Sequence, residues 1–185
     1  MKVLLIVSGS IALKKTSELL DLLNKEKINI DCIITKSGVS LIKSLKIPSF
    51  KNCKVYTDKD FFNKKNMLHI ELSRKADAII VYPASANIIG KYSNGIADDI
   101  VSTILSICEQ KKIFVPAMNF RMWQSKATQL AVNILRKNEN IVMDPEEGTL
   151  ASLHKGEGRL PNFDDVVNQM REMLDIKIPL KGKKI

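Results

Sequence analysis

The sequence predicts an α/β protein: an open parallel sheet with helices on both faces, in a single domain. Two patterns carry that prediction. Short apolar runs at residues 3–7, 28–34, 78–81 and 112–115 read as strands buried on both faces. After each comes a loop of small or hydroxyl-bearing residues and, where the chain continues regularly, a segment of helical period. Such alternation over short connections is the pattern of right-handed βαβ units. The length of 185 residues fits one domain with a sizeable core, and 45% hydrophobic with 26% charged residues is ordinary for a globular chain.

In order, residues 3–7 end in Ser8-Gly9-Ser10, and from Ile11 a helical pattern sets Leu19, Leu20, Leu22 and Leu23 on an apolar stripe. The strand at 28–34 ends in Thr35-Lys36-Ser37-Gly38, which turns into a short helix holding Leu41, Ile42 and Leu45. Residues 46–66 are polar and irregular, a long connection with one short edge strand around Val55. Residues 68–72 and Ala76-Asp77 lead into the run at 78–81. Residues 98–110 form a helix with Ile100, Ile104, Leu105 and Cys108 inward, and the strand at 112–115 stops at Pro116-Ala117-Met118-Asn119. Residues 124–137 are helical with Leu130, Ile134 and Leu135 on one side, and 141–143 give a last strand. Residues 148–159 carry three glycines and no periodicity, which reads as a loop long enough to be functional. An amphipathic helix at 163–174 closes the domain, expected to span 1–175, and 176–185 form a basic tail.

Net charge of +9 raises the question of nucleic acid. The lysines, however, are spread in pairs along the whole chain, and one Trp and three Tyr leave little to stack bases, so no nucleic-acid partner is expected. The basic field instead favours an anionic small molecule. The apolar run after Lys2 is too short for a signal-peptide core or a membrane span, so the expectation is a cytoplasmic protein with no membrane partner. Cys32, Cys53 and Cys108 are widely spaced and form no metal-ligand pattern; Cys32 and Cys108 fall within apolar patterns and read as buried thiols.

The chain is organised around Tyr82-Pro83-Ala84-Ser85-Ala86-Asn87-Ile88-Ile89-Gly90-Lys91, directly after the strand at 78–81. Small residues opening into a helix at a strand's carboxyl end leave backbone N–H groups pointing outward, a position that favours phosphate. An ordinary capped helix would carry the same signal. Three such strand-end loops bring Ser8, Ser10, Thr35, Ser37 and Ser85 toward one place, where an open parallel sheet binds its ligands. Neither a G-x-G-x-x-G nor a G-x-x-x-x-G-K-[ST] string is present, so a phosphate-bearing ligand held by hydroxyls and amides is expected without being named.

The strings His69-Ile70-Glu71-Leu72, Ala76-Asp77, Pro83-Ala84-Ser85-Ala86-Asn87, Lys91, Asn94-Gly95-Ile96-Ala97-Asp98-Asp99, Pro116-Ala117-Met118-Asn119 and Met122-Trp123 occur in a distinctive order. In that order and spacing the chain resembles the FMN-dependent cysteine decarboxylase family of flavoproteins, most closely its members that act on 4'-phosphopantothenoylcysteine in coenzyme A biosynthesis. The resemblance implies a Rossmann-like fold and a homotrimer, or a homododecamer built of trimers. It places FMN contacts on Gly9, Ser10, Ile11, Thr35, Ser37, Ser85, Ala86, Asn87, Ile88 and Ala117. His69 corresponds to the active-site histidine, a side chain able to take a proton near neutral pH. Asn119 corresponds to a residue that holds the cysteine moiety of the substrate, and Met122 follows in the same motif.

Residues 148–159 resemble the family's substrate clamp, Gly-x-Leu-Ala-Cys-Gly-x-x-Gly-x-Gly-Arg. Ala151 and Arg159 are kept for substrate binding, but Ser152 stands in place of the cysteine and Leu153 in place of the following glycine. In the implied reaction the substrate's cysteine side chain is oxidised to a thioaldehyde and its carboxylate leaves as carbon dioxide. The family cysteine then protonates the ene-thiolate, and a serine hydroxyl is a much weaker acid for that step. An oxidative peptidyl-cysteine decarboxylase, whose product stays an ene-thiol, is one alternative; a non-catalytic flavin-binding partner subunit is another. The closing Pro179-Leu180-Lys181-Gly182-Lys183-Lys184-Ile185 resembles the junction that begins the synthetase half of the bifunctional bacterial enzyme.

Overall fold

A computed structural model describes residues 1–61, 67–149 and 155–175. Six parallel strands form the main sheet: β1 (Lys2–Val7), β2 (Asn29–Ile34), β3 (Lys54–Tyr56), β4 (Ala78–Ala84), β5 (Lys112–Pro116) and β6 (Ile141–Val142). Their order is β3-β2-β1-β4-β5-β6, so the chain winds outward from β1 in both directions and the order reverses between β1 and β4. That reversal opens a crevice at the carboxyl ends of β1 and β4.

The apolar runs form central strands because both of their faces are covered. Val3, Leu5 and Val7 of β1 pack with Leu19, Leu20 and Leu23 of α1 (Thr16–Lys25) and with Val166 and Met170 of α9 (Phe163–Met173). Leu4 and Ile6, on the other face, pack with α4 (Leu68–Lys75), α5 (Ala86–Ser93), α6 (Ile100–Ile107) and α8 (Lys126–Lys137). Each such buried aliphatic side chain contributes about 1.5–3 kcal/mol relative to exposure. A 3-10 turn (Ile11–Lys15) precedes α1, and α2 (Lys36–Ser44) follows β2. Two single-turn helices complete the set: α3 (Asp58–Phe61), in the long connection after β3, and α7 (Phe120–Trp123), after β5.

Two sequence expectations are corrected. The segment 148–159 is not an irregular loop. Its described parts belong to an antiparallel arm, β7 (Glu146–Thr149) with β8 (Lys155–Arg159), standing outside the main sheet. The described residues of the arm bury no apolar face, so the alternation that reveals a strand in sequence is missing from them. Nor do Leu130, Ile134 and Leu135 share the core side of α8. Leu135 packs inward with Ala131 and Val132, while Leu130 is 63% and Ile134 39% exposed. The expected tail, residues 176–185, lies outside the described residues.

Candidate functional site

Ser8 holds the crevice together. Its hydroxyl donates to the carbonyl of Pro83 at 2.8 Å and accepts the N–H of Ser85 at 2.8 Å, tying the end of β1 to the end of β4. It is 1% exposed. The sequence placed Ser8 among hydroxyls converging on a ligand, and the structure corrects this. Both of its hydrogen-bonding roles are taken up by backbone, so it shapes the crevice and does not line it.

Around that staple the other loops close in. Thr35 caps α2, its Oγ1 accepting the N–H of Gly38 at 3.2 Å, and the Ser37 hydroxyl lies 3.2 Å from the same oxygen. Gly9 approaches so closely that a Cβ there would fall 2.3 Å from Ser37 Oγ, which is why the position takes glycine. Ser10 caps the 3-10 turn through the N–H of Ala12 at 3.4 Å, and Ile11 is 47% exposed beside it. At the start of α5, Ser85 is extended (φ −81, ψ 158) and its side chain does not cap the helix. By contrast, α6 and α8 are capped by the side chains of Asp99 and Ser125. The N–H groups of Ala86, Asn87 and Ile88 are therefore left without a side-chain acceptor among the described residues, aimed at the carboxyl edge of the sheet. That edge of α5 suits a phosphate on both hydrogen-bonding and dipole grounds.

Thr35, Ser37, Ser85, Asn87 and Ile88 share the wall of a cavity of about 1160 Å³. Its far side comes from segments that periodicity could not reveal: Thr57, Asp58 and Lys59 on the polar connection, with Lys91, Asp98 and Asp99. Lys91 lies three residues beyond Ile88 and four beyond Asn87, hence on the same helix face. Its Nζ is 2.6 Å from both Asp98 Oδ1 and Asp99 Oδ2. Hydrogen bonds first to Asp98 and then to Asp99 push the Lys91 ammonium above its ordinary value. Burial works against the charge of Asp99, but Lys91 and the N–H and hydroxyl of Ser102 outweigh it and hold that carboxyl below the usual range. Asp58 Oδ1 accepts the N–H of Ile100 at 3.0 Å. Lys36, Lys43 and Lys59, also on the wall, have no ion-pair partner among the described residues, which leaves the cavity with an excess of positive charge.

The expected substrate residues stand at the same end of the fold. The helix α4 runs back against β4, so its first turn, with half-buried His69, lies at the carboxyl edge. After β5 the N–H of Ala117 donates to the carbonyl of Ala84 at 3.1 Å, binding the turn at residues 116–119 to the end of β4. Asn119 caps α7, its Oδ1 accepting the N–H of Arg121 at 2.9 Å. Met122 is 49% exposed while its neighbour Trp123 is buried. Arg159 ends β8, with its Cδ 2.5 Å from where a Cβ on Gly148 would stand. None of His69, Ala117, Asn119, Met122 and Arg159 lines the cavity described above. Ala151 and Ser152 lie outside the described residues. The cysteines are free, and burial pushes the Cys108 thiol up to about 11. Among the described residues no three His, Cys, Asp or Glu side chains gather as a metal site, and no helix is long and apolar enough to cross a membrane.

The sequence profile of the family described as Flavoprotein matches residues 1–175. The chain belongs to the flavoprotein family. This flavoprotein is 32% identical over 94% of its length to a probable phosphopantothenoylcysteine decarboxylase of Streptococcus mutans, covering 98% of that protein. It is 35% identical over 99% of its length to the coenzyme A biosynthesis bifunctional protein CoaBC of Bacillus subtilis, but spans only 46% of that longer chain. Among solved structures it resembles a PPC decarboxylase mutant complexed with pantothenoylaminoethenethiol (TM-score 0.85, 29% identity, 94% of this chain and 98% of that one). It also resembles the peptidyl-cysteine decarboxylase EpiD (TM-score 0.75, 27% identity, 90% and 96%). The six-stranded order and the crevice between β1 and β4 are thus those of a Rossmann-like flavoprotein fold.

Proposed function

We propose that this flavoprotein is an FMN-dependent carboxy-lyase that decarboxylates the cysteine moiety of 4'-phosphopantothenoylcysteine toward 4'-phosphopantetheine. The observation that carries the reading is the start of α5, where Ser85 withholds its side chain from the helix N–H groups beside a cavity whose lining lysines outnumber its aspartates four to three. The fit to FMN is good. Amides of Ala86, Asn87 and Ile88, with the hydroxyls of Thr35 and Ser37, supply donors for a dianionic phosphate, and the Gly9 approach leaves no side chain in the way. Bound there, FMN supplies two-electron oxidation of the substrate's cysteine side chain.

The chain's own residues do the rest. In this reading the His69 imidazole takes a proton from the cysteine moiety. Asn119, held at the start of α7 by the N–H of Arg121 on its Oδ1, is the residue assigned to the cysteine moiety of the substrate. Arg159, with Met122 and Ala151, completes the substrate contacts, and the guanidinium offers a forked pair of donors to a carboxylate or phosphate. Carbon dioxide leaves, and in sequence Ser152 replaces the family cysteine that supplies the acid for the final protonation. The same serine favours a second reading, in which the ene-thiol is the final product, as for a peptidyl-cysteine substrate. The functional unit is proposed to be a cytoplasmic homotrimer or homododecamer, which the sedimentation mass of the purified protein tests.

The deciding experiment combines an absorbance spectrum with product analysis. Bound oxidised flavin and release of carbon dioxide from phosphopantothenoylcysteine are expected. A colourless protein that takes up no FMN would sink the proposal, and an ene-thiol product would select the second reading.

A further inference from the structure

The β7–β8 arm is attached to the body of the protein at three levels. At its base Leu160 and Pro161 are buried, Leu160 within the core, and the N–H of Asn162 donates to Glu146 Oε1 at 2.8 Å. One step up, the N–H of Met118 donates to the carbonyl of buried Gly158 at 3.0 Å. Higher still, the backbone of Gly156 lies against the ring of Phe120. A Cβ on Gly156 would stand 2.8 Å from both Cβ and Cγ of Phe120, closer than real contacts allow. Met118 and Phe120 are the two neighbours of Asn119, so the arm grips the chain on both sides of that residue. Gly156 and Gly158 alternate along β8 and present bare backbone on the gripped face. The guanidinium of Arg121 lies 5.7 Å from the Phe120 ring centroid and limits where the ring can turn.

We propose that Phe120 is a positioning residue: its ring seats the β7–β8 arm at Gly156 and thereby fixes where β8 and its Arg159 stand relative to Asn119. The proposal rests on the decarboxylase reading for its kinetic consequence, but its structural consequence is independent of that reading. A β-arm whose described residues bury no apolar face has little to hold it in one place except such contacts. Misplacing a substrate-holding element by an ångström costs far more in reactivity than the lost contact costs in stability.

The test uses the flavin-loaded full chain with Phe120→Ala, Phe120→Leu and Gly156→Ala. Phe120→Ala is expected to raise KM for phosphopantothenoylcysteine by roughly tenfold or more, with kcat changed much less and the flavin spectrum unchanged. Phe120→Leu restores most of that loss. Gly156→Ala behaves like Phe120→Ala, because the new methyl meets both Cβ and Cγ of Phe120. Amide exchange at Met118 and along 155–159 accelerates in Phe120→Ala while the central strands stay protected. If the wild-type protein decarboxylates nothing, the functional reading fails and the exchange data alone decide the seat. Unchanged exchange at Met118, or a Phe120→Leu variant no better than Phe120→Ala, would overturn the proposal.

Discussion

Ser8 shows how a hydroxyl can build a site without touching what binds there. One oxygen satisfies a carbonyl on one strand end and an N–H on the next loop, and it does so at the point where the sheet reverses direction. Ser8→Ala would leave the Pro83 carbonyl with only the Ser8 N–H at 3.3 Å and the Ser85 N–H without its acceptor. A buried group stranded in this way costs about 1–3 kcal/mol. Denaturant unfolding of the variant should show a loss of that order, together with weaker flavin retention on gel filtration, since Ser85 precedes the amides at the start of α5. A variant that keeps full stability and full flavin would refute this account. The sequence marked the right loop here and assigned the wrong task within it, because a strand-end serine looks the same whether it faces a ligand or a neighbouring carbonyl. Asn119 caps α7 at the turn where the resemblance expects a substrate contact.

The joint between α5 and α6 shows what periodicity can and cannot reveal. The central strands were legible as continuous apolar runs, and the flanking helices because their burial repeats every three to four residues. The far wall of the cavity was not, because Thr57, Asp58 and Lys59 sit on a polar connection with no hydrophobic period. The β7–β8 arm was hidden for a related reason: Gly148 and Gly156 face the side chains of Arg159 and Phe120, and its charged residues show no alternation of hydrophobicity. At the joint, Lys91 bridges Asp98 and Asp99, and Asp99 also caps α6. The Asp99 carboxyl is depressed in the folded protein, so it binds fewer protons there than in the unfolded chain. Its contribution is then fully present above the unfolded value of about 3.9 and is lost as pH falls through the folded value. Stability measured from about pH 7 down to pH 3 should fall more steeply in the wild type than in Asp99→Asn, which has no carboxyl to titrate at the cap. Equal slopes for the two proteins would show that the carboxyl carries no linkage.

At the scale of the whole molecule, charge is the property that sequence and structure share most directly. The net charge of +9 is spread along the chain and forms no nucleic-acid stripe, yet Lys36, Lys43 and Lys59 place part of it on the wall of the cavity, where Lys91 is already neutralised by two aspartates. A long-range field of this kind raises the encounter rate of anions and is screened by salt over a Debye length of about 10 Å at 0.1 M. A phosphorylated substrate should therefore lose kcat/KM by several-fold between roughly 0.05 and 0.5 M salt, whereas the same compound without its phosphate, still carrying a carboxylate, should lose less. Replacing Lys36, Lys43 and Lys59 together by Gln should flatten the dependence for the phosphorylated substrate while leaving the fold's thermal transition near that of the wild type, because all three side chains are exposed. Identical salt responses for the two substrates would mean that short contacts inside the site, and not the field of the molecule, select the anion.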